Sequence, residues 1–195
     1  MRSIAVYCGS SDKVAEKYLR VARDLGRLLA ESGIQVVYGA GSTGMMGAVA
    51  MAAMDAGGEV IGVMPEIFNT PQLALPTTTR YEVTPDIHTR LARMMQLAEG
   101  FIALPGGYGT MDEFFQTVTW AQIGLHTKPV GLLNYGGYYD LLIRFMQHIE
   151  DEGFMYAGHN SLYLSAETPE ALLEAMNGYR PPEGLNQWVD REESI

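Results

Sequence analysis

Short apolar runs alternate with segments of helical period along the whole chain, and no other feature narrows the possible folds as far. Apolar-rich runs occupy residues 4–8, 34–38, 60–64, 101–104 and 130–133, with shorter candidate strands at 81–83 and 162–164. Between the first two, Ala15, Leu19, Ala22, Leu25, Leu28 and Leu29 recur at three- and four-residue spacing and stop at Gly33, the signature of an amphipathic helix. Further helices are expected over 45–56, from Pro85 to Gly100, and over 111–123, 138–152 and 169–176, the last with Pro169 near its start. Strands that alternate with helices imply a parallel sheet with helices on both faces. Strands without polar alternation agree, because both of their faces are then covered. The expected fold is α/β: a single Rossmann-like domain over 1–180, with a polar tail over 181–195 after Pro181-Pro182. Residues 66–79, which hold Pro71, Pro76 and the run Thr77-Thr78-Thr79, have no clear period and read as a long loop, often a functional feature in a small domain.

Composition removes several classes of function. The formal net charge of −10 argues against nucleic acid, whose binding rests on many Lys and Arg contacts to phosphates. It leaves room for one small phosphorylated ligand. No apolar run has the length to span a bilayer, and the first residues enter a strand without a signal-peptide layout, so no membrane partner is expected. Cys8 is the single cysteine and cannot form an internal disulfide; a reducing cytoplasm is the expected location. Inside its apolar strand Cys8 reads as a small core residue rather than a nucleophile. No spacing of His, Cys, Asp and Glu suggests a metal site, and no cofactor is expected.

In an open α/β sheet, ligands bind beyond the carboxyl ends of the strands. Three strands here end in small-residue loops: Gly9-Ser10-Ser11, Gly39-Ala40-Gly41-Ser42-Thr43-Gly44 and Gly106-Gly107-Tyr108-Gly109-Thr110. Topology alone puts all three on one edge. The third lies between an apolar strand and a helix, the setting in which bare N–H groups and the helix dipole hold an anion. Thr110 is expected at the N-cap, with Glu113 either closing a capping box or facing the site. A tight, capped strand-to-helix turn explains the same residues without a ligand. Gly39 to Gly44 also fits G-x-G-x-x-G, but it follows the second strand, and the next strand ends in Met64-Pro65 with no acid to hold a ribose. A mononucleotide pocket fits better than NAD. Arg90 and Arg93, three apart on one helix, are neighbours suited to phosphate or a purine edge, or else form a solvated basic stripe. His88 reads as a hydrogen-bonding residue at the helix start.

Pro105-Gly106-Gly107-Tyr108-Gly109-Thr110-Met111-Asp112-Glu113 fits P-G-G-x-G-T-x-x-E. With His88-Thr89-Arg90 upstream and Thr119-Trp120-Ala121-Gln122 downstream, it resembles the LOG family, the cytokinin-riboside 5′-monophosphate phosphoribohydrolases that have also carried the label lysine decarboxylase. The resemblance runs from Ile4 to Glu170. It implies a Rossmann-like homodimer that hydrolyses the N-glycosidic bond of a nucleoside 5′-monophosphate. The products would be ribose 5-phosphate and adenine or an N6-modified adenine. By position, Arg90 and Glu113 match the catalytic pair, and Gly107, Gly109 and Thr110 the phosphate cradle. Met94 matches a residue beside the base and Thr119 a further ligand contact. Gly9, Ser10, Gly41, Gly106 and Tyr108 complete the expected binding set. Two departures bear on base preference: Leu91 stands where the family has lysine, and Gln72 where a loop glutamate is expected.

The decarboxylase label fails on chemistry, because a pyridoxal-phosphate enzyme needs a Schiff-base lysine. Lys13 and Lys17 lie on the first helix, and Lys128 precedes its strand at the opposite edge. Two alternatives stay open: a nucleotide- or cofactor-binding carrier or sensor without turnover, and a broad-specificity nucleoside monophosphate nucleosidase. A simple binder has no evident need of Glu113. Trp120 fits either a dimer interface or burial inside the monomer.

Overall fold

In the computed structural model, which describes residues 1–156 and 158–182, β1 (Ser3–Tyr7) lies at the centre of a seven-stranded sheet. β2 (Gln35–Tyr38), β3 (Val60–Pro65) and β4 (Arg80–Thr84) extend it on one side. β5 (Gly100–Ala103), β6 (Val130–Leu133) and β7 (Leu164–Ala166) extend it on the other. Every pairing is parallel, and Ala5 sits in register with Val37 of β2 and Phe101 of β5. Successive side chains on a strand face opposite ways, so an unbroken apolar strand feeds two cores. Ile4 and Val6 enter one, with Leu25 and Leu29 of α1 (Glu16–Glu31), Val49 of α2 (Gly44–Asp55) and Leu172 of α6 (Pro169–Asn177). Ala5 and Tyr7 enter the other, with Leu91 of α3 (Ile87–Leu97), Phe114 of α4 (Tyr108–Gln122) and Met146 of α5 (Asp140–Asp151). Right-handed crossovers require this division, because the chain walks outward from β1 in one direction and then, from β5, in the other. No helix among the described residues is long and apolar enough to cross a membrane.

The reversal of strand order between β1 and β5 opens a crevice at their carboxyl ends. Across it the Gly9 N–H donates to the Pro105 carbonyl at 3.2 Å. Beside it the loop after β3 is stitched to the loop after β2: Ser42 N–H donates to Leu73 O at 2.8 Å, and Leu75 N–H to Ala40 O at 2.9 Å. Ala40 is held at a φ of 58°, unusual for a residue with a Cβ. Apart from a short 3-10 turn at Glu66–Phe68 and an isolated bridge from Gly41 to Ala74, the segment 66–79 is the irregular loop that its composition suggests.

Two expected boundaries are corrected. α4 starts at Tyr108 with Gly107 as its N-cap, so Thr110 lies inside the first turn and Glu113 closes no capping box. Thr110 instead packs over Gly106, where an added Cβ would come within 2.1 Å of Thr110 Oγ1. The last strand is also displaced: His159–Leu162 forms a 3-10 turn, and β7 begins at Leu164. Leu162 is buried in that turn, and a three-residue apolar run carries no period to distinguish the two. Of the expected tail, residues 183–195 lie outside the described residues.

Candidate active site

The crevice widens into a cavity of about 740 Å³. Gly9 and Ser10 come to it from the end of β1 and Gly41 from the end of β2. The loop after β5 contributes Gly106, Gly107, Tyr108, Gly109 and Thr110. Met64, Phe68, Leu73 and Ile87 supply an apolar wall. Among the described residues that line the cavity, Arg90 and Glu113 are the sole charged ones.

These two are brought together from different helices. Asp86 caps α3, accepting from Thr89 N–H at 2.7 Å, and Arg90 follows within the first turn. Its guanidinium runs beneath β3, where Nε donates to Val63 O at 3.3 Å, and Nη2 reaches Glu113 Oε1 at 2.8 Å. Both side chains are 7% exposed. The end of β2 must be glycine for this to happen, since a Cβ on Gly39 would lie 2.0 Å from Arg90 Nη2. Burial pushes the Glu113 carboxyl above the usual carboxylate range, against the opposing pull of Arg90. Beneath it, Thr117 Oγ1 donates to Glu113 O at 2.7 Å and lies 3.1 Å from Tyr7 Oη, which fixes this turn of α4 to β1.

Arg93 does not join Arg90. It turns away to make two hydrogen bonds to Glu82 on β4, at 2.7 and 3.2 Å. The expected arginine fork is therefore divided between a site residue and a structural one; a three-residue spacing leaves about 60° between side chains. Hydrogen bonding from Arg93 also lowers the Glu82 pKa. His88 is exposed at the start of α3 and does not line the cavity.

The first turn of any α-helix leaves its N–H groups without partners inside the helix. In α4 those groups belong to Tyr108, Gly109 and Thr110, all at the cavity. A Cβ on Gly107 or Gly109 would meet no atom within 4 Å, so the space beside these amides is open. Together with the helix dipole, such an arrangement can hold an anion.

Met94 and Thr119 are not brought to the cavity: Met94 is fully buried in the core beside Leu91, and Thr119 is exposed further along α4. The two departures also lie elsewhere, Leu91 in that core and Gln72 exposed on the loop, whose neighbour Leu73 does line the cavity. Trp120 is half-buried against the same core. Cys8 touches the cavity but is buried, and that burial raises its thiol well above the ordinary range. None of Lys13, Lys17 and Lys128 lines the cavity; Lys128 donates to Met95 O at 2.7 Å. Among the described residues no group of three His, Cys, Asp or Glu is placed to hold a metal ion. Sequence reasoning passed over Tyr138 and Tyr139, which follow β6. Their hydroxyls donate to Gly106 O at 2.9 Å and Leu104 O at 2.6 Å. Their signal was available, since any residues just after β6 emerge at the same edge of a parallel sheet.

Residues 46–176 match the family described as possible lysine decarboxylase. The chain is 43% identical over 176 residues to a probable cytokinin riboside 5′-monophosphate phosphoribohydrolase of Oryza sativa subsp. japonica, covering 90% of this chain and 83% of that protein. It is 42% identical over 180 residues to a cytokinin riboside 5′-monophosphate phosphoribohydrolase of Arabidopsis thaliana, covering 92% and 84%. Among solved structures, the molybdenum cofactor binding protein of Rippkaea orientalis aligns with a TM-score of 0.68 at 21% identity, over 90% of this chain and 95% of that one. The molybdenum cofactor carrier protein of Chlamydomonas reinhardtii aligns with a TM-score of 0.67 at 22% identity, over 90% and 96%. These two structural likenesses bear on the fold alone.

Proposed function

The chain belongs to the family of the cytokinin riboside 5′-monophosphate phosphoribohydrolases, the LOG family, and from that premise we propose that it hydrolyses the N-glycosidic bond of AMP or an N6-modified AMP to free base and ribose 5-phosphate. The observation that carries the reading is the buried Arg90–Glu113 pair, the sole charges among the described residues that line a cavity whose rim is an anion cradle.

The 5′-phosphate sits on the amides of Tyr108, Gly109 and Thr110, and this remote binding holds the glycosidic bond in place for reaction. Cleavage builds positive charge on the ribose, as in glycoside hydrolysis generally. The Glu113 carboxylate stabilises that charge and orients the attacking water. With its pKa raised by burial, it accepts a proton more readily than a solvated carboxylate. The water oxygen bonds to C1′, the electron pair of the broken bond leaves with the base nitrogen, and that nitrogen takes up a proton. Arg90, steadied by Val63 O, orients the substrate and stabilises the departing base. Asp112 stands about 100° round the helix and is exposed, so it takes no part.

The same reading makes the protein a cytoplasmic homodimer. Phe115 and Ile123 at α4 and Leu141 and Phe145 on α5 are exposed apolar residues that favour pairing of copies. The lone, buried thiol of Cys8 suits a reducing compartment. The test of the chemistry is Glu113→Gln: turnover of AMP should fall by roughly a hundredfold or more, the scale of a lost acid–base group, while AMP still binds. Full turnover by this variant would contradict the assignment.

A further inference from the structure

The glycine loop is held from behind as well as presented in front. Three successive carbonyls, of Leu104, Pro105 and Gly106, are each engaged: by the Tyr139 hydroxyl, the Gly9 N–H and the Tyr138 hydroxyl. A peptide unit is planar, so fixing a carbonyl oxygen fixes the direction of the following N–H. Tyr138, by holding Gly106 O at 2.9 Å, therefore sets the direction of the Gly107 N–H at the mouth of the cradle. That peptide joins two glycines, which lack the Cβ atoms that would otherwise restrain its rotation.

The two tyrosines are themselves fixed in place. Asn134 Oδ1 accepts from Tyr139 N–H at 2.7 Å, and Asn134 Nδ2 donates to Asp140 Oδ1 at 2.8 Å. Between them, Gly136 and Gly137 adopt φ of 60° and 72°, and a Cβ on Gly137 would lie 2.7 Å from Asp140 Oδ2. Tyr139 is buried, so its bond to Leu104 O belongs to the core. Tyr138 is 42% exposed, lines the cavity and meets the ring of Tyr18 on α1 edge-on at 5.6 Å. It thus ties α1, the start of α5 and the glycine loop together at the site.

We propose that Tyr138 is a positioning residue for phosphate recognition, its hydroxyl holding the Gly106–Gly107 peptide so that the loop amides face a 5′-phosphate before the ligand arrives. The inference rests on the function proposed above in one respect, that the ligand is a nucleoside monophosphate. Pre-organisation of this kind shows in affinity, because the disordered alternative must be suppressed on binding when it has not been suppressed beforehand.

The experiment is titration calorimetry of the wild type and Tyr138→Phe with AMP and with adenosine, alongside steady-state turnover of AMP. Phenylalanine keeps the ring against Tyr18, and the site is partly exposed, so the unfolding midpoint should change little. Loss of one hydrogen bond at the loop should weaken AMP binding by roughly three- to tenfold and leave adenosine binding unchanged. KM for AMP should rise by the same factor with kcat nearly constant, the pattern of lost uniform binding. Equal weakening of both ligands, or of neither, would overturn the proposal. So would a wild type that binds AMP no better than adenosine, since no cradle would then exist. A preserved difference in AMP binding without turnover in the wild type would instead remove the hydrolase reading and leave the role of Tyr138 standing.

Discussion

Substituting Arg90 and Glu113 singly and together tests the buried ion pair at the centre of the site. At 2.8 Å and 7% exposure the two charges have almost no water to screen them. With an effective dielectric constant of about 20, opposite charges about 4 Å apart attract by roughly 4 kcal/mol. Removing one partner of such a pair costs about 3–5 kcal/mol, because the other is left buried and uncompensated. The two single variants should differ. In Glu113→Gln the guanidinium stays charged at any accessible pH, so the loss should be large, and it should narrow as pH rises through the raised pKa of the wild-type carboxyl. In Arg90→Met the carboxyl can neutralise itself by taking up a proton, so the loss should shrink as pH falls. Removing Arg90 also removes the influence that opposes the upward shift of Glu113. The double variant should be less destabilised than the sum of the singles by about 2–4 kcal/mol. The assay is urea unfolding followed by circular dichroism at one fixed protein concentration, with stability extrapolated to water. Additivity to within about 0.5 kcal/mol would show that the pair does not act as a unit, and the derivation from the buried geometry would fail.

Two further outcomes follow from the cavity. Gly109→Ala places a methyl where no atom lies within 4 Å, inside the first turn of α4. It should raise stability by about 0.5–1 kcal/mol through helix propensity, yet weaken AMP relative to adenosine; unchanged AMP affinity in calorimetry would remove Gly109 from the cradle. The raised pKa of Glu113 sets the acid limb of the rate profile: because the proton is held more tightly than by a free glutamate, of pKa about 4.3, kcat/KM should fall at a pH above that value. In stability the sign is the reverse, the contribution of Glu113 being complete below its unfolded pKa and lost as pH rises through the folded one. A rate profile with its acid limb at the ordinary carboxylate pKa would contradict the burial argument.

The sheet was legible because most of its strands are apolar-rich runs separated by helices of clear period. The crossover rules then place every loop that matters, and the glycine motif after β5 lies, as expected, at the carboxyl edge beside the cavity. The precise start of α4 was not legible: Thr110 has the chemistry of an N-cap, but its side chain is taken up by close packing on Gly106, and Gly107 caps by conformation alone. Nor was the fate of the two arginines. Arg90 and Arg93 differ by less than one turn, and which of them points inward depends on Gly39, on a strand distant in sequence, leaving room for one guanidinium. Met94 was expected beside the base, but its apolar side chain is drawn into the core with Leu91. The tyrosines after β6 escaped notice because their partners are backbone carbonyls about 35 residues away, which no local pattern in side chains reveals.

The most direct test is incubation with AMP and with N6-isopentenyl AMP, following released base and ribose 5-phosphate, with adenosine and ATP as controls. Release is expected from the two monophosphates and not from the controls, because the cradle takes a single phosphate at a fixed distance from Arg90 and Glu113. Tight binding of AMP without release of base would contradict it and mark the protein as a nucleotide carrier or sensor.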